Sequence, residues 1–384
     1  LYLTDLKTFV TRQLTNTVDR ESAPEFSSDE QRVIFERNGN LYSLQITTGL
    51  LAQHTDFKAG TKKADPKLSE EEAFLKKDQL AMFQVLKERK EKADAGKKID
   101  ESSKADYPKE IYLGEKRAMG AKLSPDGRFV AYRLFQPDKS AKSTIVPNYV
   151  TESGFTEDIP ARTKVGAPMS TSEFWIYDIK KDTTRKVSLS KIPGIHDKPD
   201  YLKDYPKQDS AWKNKERAVN VQGIIWSETG KNAVVTIRST DNKDRWIMLL
   251  DPETLSLKLL DRQRDEAWIG GPGISGFSGG EMGWIDEETL YFQSEATGYS
   301  HLYTINVTSG KKTQLTDGKF EVQNVQLSKD KKTFYLITNE VHPGEKHFYH
   351  MSVSGGARTK ITSGTGAYEV SVSPDESKLA VRFS

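Results

Sequence analysis

Residues 123–132 read LSPDGRFVAY: an apolar residue, a polar turn built on Ser, Pro, Asp and Gly, then Arg and an apolar run. One such stretch is an ordinary hairpin signal. Here it recurs. FSSDEQRVIFE occupies 26–36, WSETGKNAVVTI 226–237, LSKDKKTFYLI 327–337 and VSPDESKLAVRF 372–383. The turn starts at Ser124, Ser227, Ile285, Ser328 and Ser373 lie 103, 58, 43 and 45 residues apart. A repeat of about forty residues that carries several short strands is the signature of a stacked β architecture. The late spacings leave room for little else, and the early ones require insertions.

Two stretches display the repeat in full. Within 26–49 the pattern predicts two strands around the Ser28–Glu30 turn, and a third from Leu41 to Ile46. Asn38-Gly39 between them is a tight-hairpin signal, because both residues tolerate positive φ. Residues 283–318 predict four strands: Gly283–Ile285, Thr289–Ser294, Ser300–Asn306 and Lys311–Thr316. Four antiparallel strands per repeat predict an all-β fold, a β-propeller of four-stranded blades. About six blades are readable. A stacked blade buries both sheet faces, which accounts for the apolar density of FVAY, AVVTI and TFYLI. A β-sandwich is the alternative, but it predicts no fixed period. Residues 1–15 look like the third and fourth strands of a blade and 370–383 like the first and second, so the ends are expected either to complete one split blade or to be cut edges. The whole of 1–384 is expected to form a single propeller domain.

Composition removes several function classes. The chain of 384 residues carries 57 basic and 55 acidic residues, a net charge of +2, which gives no bulk attraction to nucleic acid or anionic lipid. Cys is absent, so disulfide and thiolate chemistry are excluded. No apolar run approaches the ~18 residues of a spanning helix. No signal peptide opens the chain and Leu1 is not an initiator Met, so a mature or trimmed fragment is expected.

Three insertions interrupt the repeat. Residues 58–109 contain SEEEAFLKKDQLAMFQVLKERKEK, which predicts a helix opened by a Ser69/Glu72 capping box and closed near Gly96. Leu75, Met82 and Leu86 fall on one stripe and are expected to pack as a lid or brace. In 136–172, Pro137, Pro147, Pro160 and Pro168 argue against any regular element, and loops of that length are usually functional. Residues 193–218 are rich in Tyr and Lys, but acids interrupt every basic cluster, which speaks against a nucleic-acid surface.

The short motifs with catalytic outlines fail on context. GFSGG at 276–280 matches GxSxG, yet a nucleophile elbow needs a strand before the Ser and a helix after it. The pattern after Ser278 is that of another strand, so a blade-linking glycine loop is expected. GPGISG at 271–276 lacks the strand–loop–helix setting of a phosphate loop. His342, His347 and His350 sit at a hairpin tip, with His347 and His350 three apart in a strand and so on opposite faces. With no HExxH and no Cys, no metal site and no cofactor are expected. No catalytic residue is assigned.

One stretch goes further than architecture. YFQSEATGYSHLYTINVTSGKKTQLTDGKFEV at 291–322 resembles the non-catalytic propeller of the prolyl oligopeptidase class, in its dipeptidyl-peptidase-IV-like branch. The matching residues are Ser294, Glu295, Gly298, Tyr299, His301, Leu302, Tyr303, Leu315, Thr316, Gly318, Phe320, Glu321 and Val322; the family more often has Trp at 299 and 320. The SPDG repeat is shared more widely, with TolB-like propellers. The resemblance implies a ring of seven or eight blades capping an α/β-hydrolase domain that lies downstream in the parent chain and carries the catalytic triad. This chain, which stops inside a repeat, is therefore expected to hydrolyse nothing by itself. It implies peptide substrates, a substrate-gating role, a periplasmic or secreted setting and a homodimer of the parent. The branch also holds a peptide's amino terminus with a Glu pair in the propeller. The candidates here are Glu70, Glu71 and Glu72, which lack the aromatic residues usually found before that pair. The rival readings are a freestanding TolB-like or WD-like scaffold and, more distantly, a glycosidase propeller.

Overall fold

A computed structural model describes residues 1–63, 68–103, 108–164, 166–274 and 280–384. The fold is all-β, a propeller whose blades are four-stranded antiparallel meanders. Five such sheets occur among the described residues. Sheet 1 is Glu21–Phe26, Arg32–Arg37, Asn40–Gln45 and Leu51–Gln53. Sheet 2 is Arg117–Leu123, Phe129–Gln136, Thr171–Asp178 and Thr183–Lys186. Sheet 3 is Val219–Trp226, Ala233–Ser239, Asp244–Leu250 and Leu257–Arg264. Sheet 4 is Met282–Trp284, Thr289–Ser294, His301–Asn306 and Lys312–Gln314. Sheet 5 is Val322–Leu327, Thr333–Thr338, His347–Ser352 and Thr359–Lys360. Both chain ends form two-stranded hairpins, Tyr2–Thr4 with Thr11–Gln13 and Tyr368–Val372 with Leu379–Phe383. The residues group into two compact units, 1–26 with 31–117 and 27–30 with 118–384.

The recurring turn has a physical cause. Ser124 Oγ donates to Asp126 Oδ1 at 2.5 Å and accepts the Phe129 N–H at 2.8 Å. Ser328 repeats this with Asp330 (2.7 Å) and Thr333 (3.0 Å), and Ser373 with Asp375 (2.6 Å) and Lys378 (3.0 Å). Ser227 accepts from Asn232 at 3.0 Å. The hydroxyl takes up a backbone donor at the start of each second strand, where the turn has interrupted the ladder. Ser124, Ser227 and Ser328 are buried, so an apolar replacement would strand that donor.

A second bracket recurs at the other end of the blade. Leu41, Leu302 and Phe348 donate their N–H to Thr55, Thr316 and Thr362, each fourteen residues on, at 2.9, 2.9 and 3.1 Å. His301 and His347 turn Nδ1 toward the same threonines, each at 3.1 Å. His347 is buried and His350 half-buried, as expected of opposite faces, and His347 serves this bracket.

In the larger unit the sheets stack face to face in chain order. Val235, Ile237, Trp246 and Met248 of sheet 3 pack with Phe129, Phe174 and Ile176 of sheet 2. Val234 and Ile247, pointing the other way, pack with Leu290, Phe292 and Tyr303 of sheet 4. Leu302 and Tyr291 of sheet 4 pack in turn with Phe334 and Leu336 of sheet 5. The turns are tied as well: the Glu287 carboxylate accepts from the Thr229 N–H (2.9 Å) and hydroxyl (2.8 Å), and Glu376 accepts from the Lys329 N–H at 2.7 Å. In the smaller unit Val33, Phe35 and Leu44 of sheet 1 pack against Leu1, Leu14 and Ile46. The Asn38-Gly39 turn has φ +51° and +74°, as its sequence requires.

The insertions depart from expectation in two places. The helix over 69–92 is two helices, α1 (Glu70–Met82) and α2 (Gln84–Ser103), broken at Phe83, where φ is −114° and ψ 100°. Order continues through Gly96 to Ser103. The break separates Leu75 and Met82 from Leu86, and all three are exposed, at 58%, 71% and 37%. The stripe therefore buries nothing, and no residue of α1 is buried. The capping box is present: the Ser69 N–H reaches Glu72 at 2.9 Å and the Glu72 N–H reaches Ser69 Oγ at 3.1 Å. A short parallel pair, Asp56–Lys58 with Glu110–Tyr112, closes the base of this insertion.

The second departure is in 136–172, where a hairpin of Ser143–Asn148 and Glu157–Thr163 forms despite Pro147 and Pro160. A two-stranded ribbon has only edge strands, so alternate N–H groups need no ladder partner and a proline costs nothing there. Among the described residues no helix is long and apolar enough to cross a membrane.

Candidate functional site

The 136–172 insertion leaves sheet 2 after Gln136 and rejoins it at Thr171, directly opposite in the ladder. It thereby walls a cleft of about 610 Å³ between itself and the ends of strands from sheets 2 and 3. That is within the usual range for small-ligand sites, ~300–1,000 Å³. Met119, Phe135, Val221 and Met169 give it apolar surface. Asn220, Asn242, Thr240 and Ser172 give it polar groups.

Among the described residues the only charged side chains lining it are Arg133 and Arg238. Both stand in the second strands of their sheets. Arg133 donates from Nη1 to the Val221 carbonyl at 3.3 Å. A bulge between Val221 and Gly223 marks this point in the strand. Gly120, at φ +59°, lies beside the guanidinium: a Cβ there would sit 3.1 Å from Arg133 Nη2. Arg238, opposite Asn220 in the ladder, donates from Nε to Asn242 Oδ1 at 3.1 Å and from Nη2 to the Ile269 carbonyl. Its guanidinium carbon is 5.9 Å from the centre of the exposed Trp268 ring. Burial lowers the pKa of both arginines, with no offsetting carboxylate among the described residues.

Three other arginines, in and beside sheet 3, are treated differently. Asp244, fully buried, accepts from Arg217 (2.6 Å), Arg262 (2.8 Å) and Arg264 (2.6 Å). Further donors of the three reach Asp241 at 3.0 Å, Asp197 at 2.6 Å and Asp200 at 2.5 Å, which fastens the 193–218 insertion to the sheet. Burial alone would raise the Asp241 carboxyl, but hydrogen bonds from Ser239 and Arg217 hold it below its usual range. This cluster is neutralised from within. The cleft is not.

The stretch 294–322 forms a clasp. The ring of His301 sits between Thr316 Oγ1 and the Gly318 carbonyl (Nε2 at 3.0 Å), edge-on to Phe320 at 5.1 Å. Gly318, at φ +129°, lets that ring approach: a Cβ would lie 2.8 Å from Phe320. Glu321 accepts the Ser300 N–H at 2.6 Å and gives its own N–H to Asn339 at 2.6 Å. The Glu295 carboxyl is raised by burial and by the charges of Glu321 and Asp265.

These residues lie within a segment with known relatives. Residues 111–384 match the family described as the dipeptidyl peptidase IV (DPP IV) N-terminal region. The chain belongs to that family. Among proteins similar to this DPP IV N-terminal region are dipeptidyl peptidase 4 of Trichophyton equinum, 23% identical over 246 residues, and a probable dipeptidyl peptidase 4 of Aspergillus fumigatus, 24% identical over 245 residues. Each alignment covers 63% of this chain and 28% or 29% of the relative, so the chain spans under a third of their length. Porphyromonas gingivalis dipeptidyl peptidase 4 shares the fold, with a TM-score of 0.58 at 15% identity over 99% of this chain and 44% of the other. A putative dipeptidyl aminopeptidase IV from Bacteroides ovatus does so with a TM-score of 0.54 at 11% identity, over 95% of this chain and 43% of the other.

In this DPP IV N-terminal region, the residues that carry the family resemblance hold the blade together. Glu70, Glu71 and Glu72 stand exposed in the first turn of α1, where the helix dipole favours carboxylates, and Glu72 is engaged by Ser69. Of GFSGG, residues 276–279 lie outside the described residues. Arg133 and Arg238 went unread in the sequence. Their signal is an Arg that interrupts an apolar second strand, in FVAYRLF and AVVTIRS.

Proposed function

We propose that this propeller gates and positions peptide substrates for an α/β-hydrolase domain of the same parent chain, which would act as a serine peptidase. Membership of the DPP IV N-terminal family across 111–384 carries the reading. The cleft supports it: a concave site with donors for peptide carbonyls and apolar walls for side chains positions a substrate rather than transforms it. In this reading the inserts shape the chamber and exclude folded proteins, and Glu70 to Glu72 are the candidates for holding a free amino terminus.

The test is a peptide-length series with the full-length protein. Short peptides should be cleaved, kcat/KM should fall steeply with length, and serine-directed phosphonates should abolish cleavage. Ser278→Ala should leave cleavage intact. Tight binding of proteins with no hydrolysis of any peptide would instead favour a freestanding scaffold.

A further inference from the structure

We infer that the arginine cleft takes the C-terminal carboxylate of a short peptide. The inference rests on the peptide-handling role proposed above and adds which end of the peptide this site reads.

Charge is the first argument. Arg217, Arg262 and Arg264 of the same blade region are each matched to two aspartates. Arg133 and Arg238, also half-buried, face a cavity whose lining holds no acid among the described residues. A guanidinium that loses water without gaining an anion is costly, and an anionic ligand supplies what the fold leaves out.

Donor geometry is the second. A guanidinium has five N–H donors. Among the described residues Arg133 gives one bond, to Val221, and Arg238 gives two, to Asn242 and Ile269. Both are held in place by backbone or amide oxygens, which orient them without neutralising them. The rest of each fork is available for a carboxylate, the anion it matches in a two-bonded arrangement. Gly120 keeps the space beside Arg133 open.

The walls are the third. Met119, Phe135, Val221 and Met169 offer apolar surface next to the two cations. A small inorganic anion would leave that surface unused. The last residues of a peptide present a carboxylate with a side chain and backbone amides beside it.

The experiment uses the full-length protein and tripeptide probes of Ala with N-methylated, hydrolysis-resistant bonds, titrated by calorimetry. The probes are the free acid, its C-terminal amide, and an amide carrying one Asp side chain as its only carboxylate. The free acid should bind about tenfold or more tightly than the amide, since a hydrogen-bonded charge is at stake. Arg133→Gln and Arg238→Gln should each remove most of that gap. Where Arg133→Gln unfolds the protein, Thr240→Glu is the alternative: it places a carboxylate in the cleft and should erase the preference with thermal stability unchanged. Equal binding of acid and amide, or a gap that survives these variants, overturns the inference. An Asp-bearing amide that binds as well as the free acid shows a side-chain carboxylate site and overturns the chain-end assignment. So does inorganic phosphate displacing the acid at equal concentration. Cleavage of ordinary short peptides is scored separately. If cleavage stands and the acid preference is absent, only this inference fails; a preference without cleavage of any peptide refutes the peptidase reading.

Discussion

Sheets 1 and 3 are built from the same repeat and end up in different environments. In sheet 3 the second strand is buried on both faces: Ala233, Val234, Val235 and Ile237 are each at most 1% exposed. In sheet 1 the second strand alternates, with Val33 and Phe35 buried and Ile34 and Glu36 half-buried. The difference lies in the neighbours. Sheet 3 lies between sheets 2 and 4, and each of its faces meets an apolar partner. Among the described residues, the core that sheet 1 makes is a small cluster with residues near the N-terminus. A blade's burial is therefore decided by what stacks on it, while its hydrogen-bonded skeleton is the same in both places. Sheet 3 also carries the buried ionic cluster at Asp244, for which sheet 1 has no counterpart among the described residues.

The comparison can be broken at three points. The largest effect is expected at Asp244→Ala, which leaves three arginines facing one another around an empty position; the loss should be about 3–5 kcal/mol in denaturant unfolding. A loss under about 1 kcal/mol would mean that water reaches the cluster freely, as at a surface ion pair. Next comes the pair Ile247→Ala and Ile34→Ala. Ile247 is fully buried between blades and should cost about 2–5 kcal/mol, against under about 1 kcal/mol for half-buried Ile34. Equal losses would remove the distinction between the two sheets. The smallest effect is expected in the helical insertion, where Leu75→Ala and Leu86→Ala should each change stability by under about 0.5 kcal/mol, as surface substitutions do. A larger loss in the full-length protein than that would show that α1 or α2 is covered there.

Acidity sharpens the same contrast from another side. The Glu295 carboxyl is raised in the folded protein, so between its ordinary and its raised pKa the folded state binds more protons than the unfolded one. Stability should therefore fall as pH rises through that window, and Glu295→Gln should flatten the profile in pH-dependent unfolding. The lowered carboxyl of Asp241 acts in the opposite sense: its contribution is present above the unfolded pKa and is lost as pH falls through the folded one.

Much of the fold was legible because it is local. The hairpin at Asn38-Gly39, the four strands of 283–318 and the capping box at Ser69 each depend on residues a few positions apart, and each forms. The hairpin within 136–172 forms despite its prolines because its two strands have no further neighbour among the described residues, so the N–H a proline lacks has no ladder partner to lose. The apolar stripe of Leu75, Met82 and Leu86 failed because periodicity names a face but not what covers it, and because the break at Phe83 divided the stripe. The threonine partners of His301 and His347, fifteen residues away, were not visible as partners in the sequence.

By itself, then, the amino-acid order determined the repeat: a serine that captures a backbone donor five residues on, an apolar second strand, and a family stretch that clasps one blade to its own loop. Those are short-range hydrogen bonds and steric preferences, and they survive any change of neighbours. Tertiary structure alone decided which arginines are paired with acids and which are not. Arg262 and Arg238 sit in the same sheet, yet one meets Asp244 and Asp197 and the other opens on a cleft whose lining holds no acid among the described residues. Charge compensation and desolvation depend on groups brought together across tens to hundreds of residues, and no local pattern encodes that distance.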